Sequence, residues 1–295
     1  MAQRSQYGAK TELWSSPSLC AILLKIFNLI ISAVMDPILY LGFLVALLLP
    51  SFTAANGPCT KDNLIALTFD DGPYEYENII SSYLHNLNIK ATFFVNGCNY
   101  GCIYDEANVR RLRKTFEQGN LIASHSYLVA SSHHAVEQGA LVDTITILSD
   151  TPSTANTNRL VTLRAHSEIL GIKPKFFRAP YGEISDENRE VLKSRGYEVV
   201  GWTADSEDSL GASVAESLNI YTELAQKRYQ SQIILNHETY ETTANKLVPA
   251  AVRILQSNGY RLVHVSECLG IGTDNSTMYQ SVGPYGTRDV RHNFA

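Results

Sequence analysis

Leu64-Ile65-Ala66-Leu67-Thr68-Phe69-Asp70-Asp71-Gly72-Pro73 is the stretch on which the fold turns. Its first six residues form a short apolar run closed by a turn signal, which predicts a buried strand over Leu64–Phe69. Outward from it the same alternation recurs. Asn78–Leu87 carries apolar residues at 79, 80, 83, 84 and 87 and is predicted as a helix. Ala91–Val95 is predicted as a strand, Asn108–Gln118 as a helix and Leu121–Ala123 as a short strand. Further on come strands over Phe176–Arg178, Tyr197–Trp202, Gln232–Leu235 and Tyr260–Val263. Helices are expected over Arg159–Leu170, Asp186–Arg195, Val214–Lys227 and Thr242–Ser257. Strand–helix alternation of this kind implies an α/β fold with a mainly parallel sheet. Roughly seven repeats in about 210 residues favour a barrel-like β/α arrangement in one domain.

The rest of the 295 residues departs from that rhythm. Residues 1–34 read as an N-terminal extension. Residues 35–55 hold the apolar run Ile38–Leu49, followed by Pro50, Thr53, Ala54 and Ala55. That run has the length of a signal-peptide core and is too short to span a bilayer. Cleaved export is the leading expectation. A membrane anchor over residues 19–49, with the domain outside, is the alternative. Residues 128–160 are rich in Ser, Thr, Ala, Asn and His, with a single apolar pattern at Leu141–Leu148. Residues 271–295 are polar and Gly-rich and are expected to be a poorly ordered tail. Of five cysteines, Cys20 falls in the leader. Cys59, Cys98, Cys102 and Cys268 remain as disulfide candidates, an even set suited to an oxidising compartment, with more than one pairing open. Charged residues make up 18% and the net charge is −5. That balance gives no reason to expect a nucleic-acid partner.

Five motifs sit at predicted strand ends, where a β/α barrel places its active site. Asp70-Asp71 can divide labour, one carboxylate taking a proton from water and the other holding a metal. Taken alone, Asp-Asp-Gly-Pro is also an ordinary turn. Ser124-His125-Ser126 offers an imidazole suited to Zn²⁺. In Phe177-Arg178-Ala179-Pro180-Tyr181-Gly182, an Arg can orient a carboxylate and the turn can present backbone N–H groups to an oxyanion. Trp202-Thr203-Ala204-Asp205 follows another strand. In Leu235-Asn236-His237-Glu238, the imidazole can act as a general acid.

This ordered set resembles the polysaccharide deacetylases of the NodB-homology type, carbohydrate esterase family four, and the flanking sequence is similar to fungal secreted chitin deacetylases. The similarity covers residues 59–270 except 128–160. The resemblance implies a distorted, incomplete (β/α) barrel of about seven strands. It implies hydrolysis of N-acetyl groups from chitin or chito-oligosaccharides, with release of acetate. Asp70 would be the general base and His237 the general acid. Asp71 and His125 would be metal ligands, with Zn²⁺ expected and Co²⁺ as a substitute. Arg178 would orient Asp70, with Asp205 beside it. Pro180, Tyr181 and Gly182 would form the oxyanion turn, with Tyr181 as backbone donor, and Trp202 and Leu235 would line the site. The family also suggests pairing Cys59 with Cys268 and Cys98 with Cys102.

The chain departs from the pattern at one point of chemistry. The family carries a second His four residues after His125, and here that position is Val129, which cannot bind a metal. His133 and His134 lie further on. The abrupt loss and return of pattern around 128–160 reads as a misplaced splice boundary. Ser209 stands where many relatives carry an aromatic residue. His166 is expected on an exposed helix face. The alternative readings are a deacetylase of another N-acetylated polysaccharide such as peptidoglycan, and a catalytically impaired glycan-binding relic. The expected partner is a neutral N-acetylglucosamine polymer, the expected state a monomer, and the expected place the exterior or the cell wall.

Overall fold

The structure, a computed structural model, describes residues 58–126, 161–227 and 230–284. The expected leader, residues 128–160 with Val129, His133 and His134, and residues 285–295 lie outside the described residues.

Chain order begins with strand β1 (Leu64–Gly72), helix α1 (Glu77–Asn86), β2 (Thr92–Val95), α2 (Glu106–Glu117) and β3 (Leu121–Ser124). It continues with α3 (Val161–Leu170), β4 (Ile172–Pro174), β5 (Phe176–Phe177), α4 (Asp186–Ser194), β6 (Glu198–Val199) and β7 (Ala204–Asp205). Then come α5 (Val214–Gln226), β8 (Gln232–His237), α6 (Val248–Ser257), β9 (Arg261–Val263), α7 (Val265–Cys268), α8 (Asn275–Met278) and β10 (Tyr279–Val282). The main sheet runs β6-β5-β3-β2-β1-β8-β7, and all its pairs are parallel. β9 joins β1 at Leu64–Ala66, end to end with β2, which pairs with the other half of β1 from Thr68. The result is a curled half-barrel with helices between its strands, as the strand–helix alternation implied.

β1 is central, and Leu64, Ile65, Ala66, Leu67 and Phe69 are all buried. A strand covered on both faces reads as a continuous apolar run rather than an alternating one. Phe69 stacks on Phe93 of β2 at 5.1 Å between ring centroids. Helix starts follow local chemistry. Ser185 accepts a hydrogen bond from the Asn188 amide at the head of α4. Ser213 and Glu216 form a reciprocal capping box at the head of α5.

The structure corrects several expectations. The strand predicted over Tyr197–Trp202 contracts to β6, and the helix predicted from Thr242 opens with a π-helical turn, Thr243–Leu247, before α6. The expected tail is structured through Val282. β10 pairs antiparallel with β4, and the buried Tyr279 hydroxyl accepts from the Ile122 amide of β3 at 3.1 Å. Two buried residues, Met278 and Tyr279, anchor a segment too polar to show a period. His166 is 1% exposed, not on a solvent face. Its helix is covered because α3 packs against α2 and β4.

Cys59 and Cys268 form a disulfide, which ties the start of the described domain to α7. Cys98 and Cys102 are separate, half-buried thiols, which corrects the second expected pair. Their backbones pair in an antiparallel bridge. That loop is closed by Ile103 N–H donating to the Gly97 carbonyl (2.9 Å) and Asn108 Nδ2 donating to the Cys102 carbonyl (2.9 Å), with no sulfur bond. The Cys59–Cys268 link spans 209 residues, so removing it frees a long loop in the unfolded chain. The C59S/C268S variant is expected to lose about 2–5 kcal/mol of unfolding free energy. Urea unfolding of oxidised wild type and variant measures it.

Candidate active site

All five motifs reach one end of the sheet. Asp70 and His237 are direct register partners on the neighbouring strands β1 and β8. β3 ends at Ser124, so His125 follows at once, and Arg178 follows β5. Asp205 ends β7 and is paired with Leu235.

Adjacent residues on a strand point to opposite faces. Asp70 and Asp71 nevertheless both face His125, whose Nε2 lies 3.6 Å from Asp70 Oδ2 and 3.6 Å from Asp71 Oδ1. The break in the pleat is visible: Asp71 has φ 77° and the β1–β2 register shifts between Asp70 and Gly72. Ser126, Tyr181 and Glu207 are also left-handed, at φ 75°, 58° and 59°. Positive φ is uncommon for residues other than glycine, though less so for Asp, and here four such residues stand beside strand ends that carry motif residues.

Arg178 is 0% exposed and makes four bonds. Nη1 donates to Asp70 Oδ1 (2.8 Å) and Thr68 Oγ1 (2.7 Å), Nε to the Val200 carbonyl (3.2 Å) and Nη2 to the Gly201 carbonyl (2.9 Å). Its guanidinium lies 4.1 Å from the Phe94 ring centroid and 5.6 Å from that of Trp202. Burial lowers its pKa, and Asp70 opposes that shift most strongly, with a smaller contribution from Asp205. Asp205 itself accepts from the Glu207 amide at 2.8 Å. Gly182 packs so close to Trp202 that an added Cβ would lie 2.9 Å from its ring. Tyr181 is 46% exposed, and Leu235 is buried.

His125 Nδ1 lies 2.9 Å from the Arg178 carbonyl oxygen. A carbonyl only accepts, so Nδ1 carries a hydrogen and Nε2 is the atom turned to the two carboxylates. At 3.6 Å these contacts are too long for hydrogen bonds. Donors each about 2.0–2.2 Å from one zinc ion stand roughly 3–3.6 Å apart, so Asp71 Oδ1 and His125 Nε2 are spaced as two donors that share a cation. No group of three or more His, Cys, Asp or Glu placed to hold a metal occurs among the described residues. Asp71 has its pKa raised by burial, against the pull of His125 and His237.

His237 has a partner that the motif reading missed. Its Nδ1 lies 2.7 Å from Asp208 Oδ1, and its amide donates to Asp208 Oδ2 at 2.8 Å. Thr243 Oγ1 donates to the same oxygen at 2.8 Å. Burial works against the charged ring, but the bond and charge of Asp208, with Asp70 and Asp71 adding, push His237 up to about 9. Thr68 and Glu238 belong to the same motifs, and sequence gives neither of them a role. Thr68 bonds Arg178 (above), and Glu238 is fully buried beneath the Asp71–Pro73 turn.

A parallel β/α half-barrel whose strand ends and the loops after them gather four carboxylates, two imidazoles and a buried guanidinium defines a hydrolase-type site. The family model described as polysaccharide deacetylase matches residues 57–200. A chitin deacetylase of Colletotrichum lindemuthianum is 31% identical over 74% of this chain and 84% of its own. A probable peptidoglycan-N-acetylglucosamine deacetylase of Arthroderma benhamiae is 29% identical over 72% of this chain and 45% of its own. The solved structure of the Colletotrichum lindemuthianum chitin deacetylase superimposes with a TM-score of 0.64 at 28% identity, covering 80% of this chain and 95% of that one. The chain belongs to the polysaccharide deacetylase family, a family of hydrolases.

A raised histidine pKa stabilises the fold where the folded ring is charged. The His237–Asp208 contribution is therefore fully present below the ordinary value of 6.5 and is lost as pH rises through about 9. An NMR titration of chelator-treated protein should place the His237 transition near 9, and in D208N it should fall towards 6.5.

Proposed function

We propose that this chain hydrolyses N-acetyl groups from chitin or chito-oligosaccharides and releases acetate. The observation that carries this is the pairing of Asp70 with His237 across adjacent strands, each held by its own buried partner, Arg178 and Asp208. Similarity to a chitin deacetylase supports chitin over peptidoglycan, which remains the second reading because of the peptidoglycan-directed relative. A binding-only relic is the weaker reading, since binding alone asks for neither the Arg178–Asp70 nor the Asp208–His237 pair.

In this proposal Asp70 takes a proton from water. Arg178 supports that role by position: it occupies Oδ1, which leaves Oδ2 on the His125 side. Asp71 and His125 would hold a divalent cation, Zn²⁺ being the expected ion, and such an ion supplies polarisation of the amide carbonyl and of bound water. The turn Pro180–Gly182, with Tyr181 left-handed, is assigned to the acetyl oxygen. His237, kept protonated by Asp208, delivers the proton that the leaving amine needs. Leu235 lies on the same strand two residues before His237 and is assigned to the acetyl methyl. Export to the exterior or cell wall belongs to the same reading, supported by the Cys59–Cys268 disulfide and the apolar run after Met35.

Acetate release from chitin oligomers, with peptidoglycan fragments in parallel, tests the proposal. D70N and H237A should each lower kcat about 10²–10⁴-fold at unchanged fold. A chelator should abolish release, and added Zn²⁺ or Co²⁺ should restore it. Wild-type protein that binds chitin oligomers but frees no acetate with either ion would overturn it.

A further inference from the structure

We infer that Glu238 is a positioning residue for the Asp70–Asp71 pair, acting as a buried hydrogen-bond acceptor that locks the turn carrying both carboxylates. The inference rests on the deacetylase reading above and goes beyond the residues assigned there.

The turn Asp71-Gly72-Pro73 is held on both sides by one residue of β8's end. Before the turn, the Glu238 amide donates to the Asp70 carbonyl at 3.3 Å. After it, Glu238 Oε1 accepts from the Tyr74 amide at 3.1 Å. Between them the carboxyl presses on the Gly72 backbone, where an added Cβ would lie 1.7 Å from Oε1. No side chain fits there, so Gly72 and the Glu238 carboxyl fill one space. Such a clamp matters because Asp71 sits at φ 77°, a region uncommon for any non-glycine residue even though Asp enters it more readily than most. Without the clamp the chain relaxes towards the regular pleat, and Asp71 swings away from His125.

The carboxyl serves through shape and acceptance rather than charge. Glu238 is 0% exposed, and Oε2 has no hydrogen-bond partner among the described residues. Glu77, also fully buried, faces it electrostatically, and burial followed by that neighbour drives Glu238 well above the usual carboxylate range. A glutamine keeps the Oε1 acceptor and nearly the same volume, and it should keep the clamp. A leucine fills space but cannot accept from Tyr74.

The test compares E238Q, E238L and E238A for acetate release and for exchange of the Tyr74 amide hydrogen. E238Q should stay within about threefold of wild type in kcat and KM. E238L and E238A should lose about 10²-fold in kcat, with KM changed less than threefold, and should exchange the Tyr74 hydrogen at least tenfold faster. Loss in E238Q equal to that in E238L overturns the acceptor role. Wild-type kcat in E238L overturns positioning, and so does unchanged Tyr74 exchange. If E238L and E238A do not fold, E238M takes their place with the same two readouts. Amide exchange needs no substrate, so an inactive wild type with a protected Tyr74 amide would sink the deacetylase reading and leave the clamp standing.

Discussion

The burial of Arg178 is the constraint from which the site follows. A guanidinium removed from water is tolerated only when it is paired and its donors are bonded. The partners come from separate segments: Thr68 and Asp70 on β1, and the carbonyls of Val200 and Gly201 after β6. Satisfying that one cation therefore fixes the spacing of β1, β5 and the β6–β7 connection. It also fixes His125, because the carbonyl of the same residue accepts from Nδ1. One residue thus orients a carboxylate with its side chain and an imidazole with its backbone. Replacement by Lys would keep the charge and lose the fork that reaches Thr68 and Asp70 together with two carbonyls.

How legible this was depended on whether the interaction ran along the chain or across it. β1 and β2 were readable as short apolar runs and α1 and α2 by their helical period, and observed ends moved by only a few residues from the predicted ones. The short strands β4 and β7 were not, since two or three residues carry no period. Strand β10 exists because Tyr279 finds β3 and β4, a long-range fact with no local signature. The thiols Cys98 and Cys102 show the converse. Short spacing brought them together, but spacing alone does not make a bond, and backbone and Asn108 contacts close that loop instead.

The same division holds at the site. Asp70, Asp71, His125, Arg178 and His237 were legible because each stands beside a strand end, where a sheet of this kind aims its chemistry. Asp208 was not singled out, although it lies only three residues after Asp205. Its importance comes from β8 bringing His237 against it, where Asp208 gives that imidazole both a carboxylate at Nδ1 and an acceptor for its amide. A second carboxylate in the same loop was the available signal. Glu238 stands in the motif of His237, but nothing in the sequence signals which face it takes. Its role depends on Gly72 having no side chain, and that coupling joins residues 166 positions apart, by difference of their numbers.

The charge balance of the cluster explains why a cation suits it. Asp70, Asp71, Asp205 and Asp208 face Arg178 and a protonated His237, so carboxylates outnumber fixed positive charges even with His237 charged. Arg178 is spent on Asp70 and His237 on Asp208, each at bonding distance. That leaves Asp71, whose pKa burial raises. A carboxylate in that position either takes up a proton or gains a positive partner. His125 Nε2, turned towards it at 3.6 Å, adds a second donor to the same space. A divalent ion there would answer the one carboxylate that neither existing pair binds directly. The two pairs and the Asp71–His125 space are distinct in their bonding but share one field, since His237 lowers the pKa of Asp71 while Asp70 and Asp71 raise that of His237.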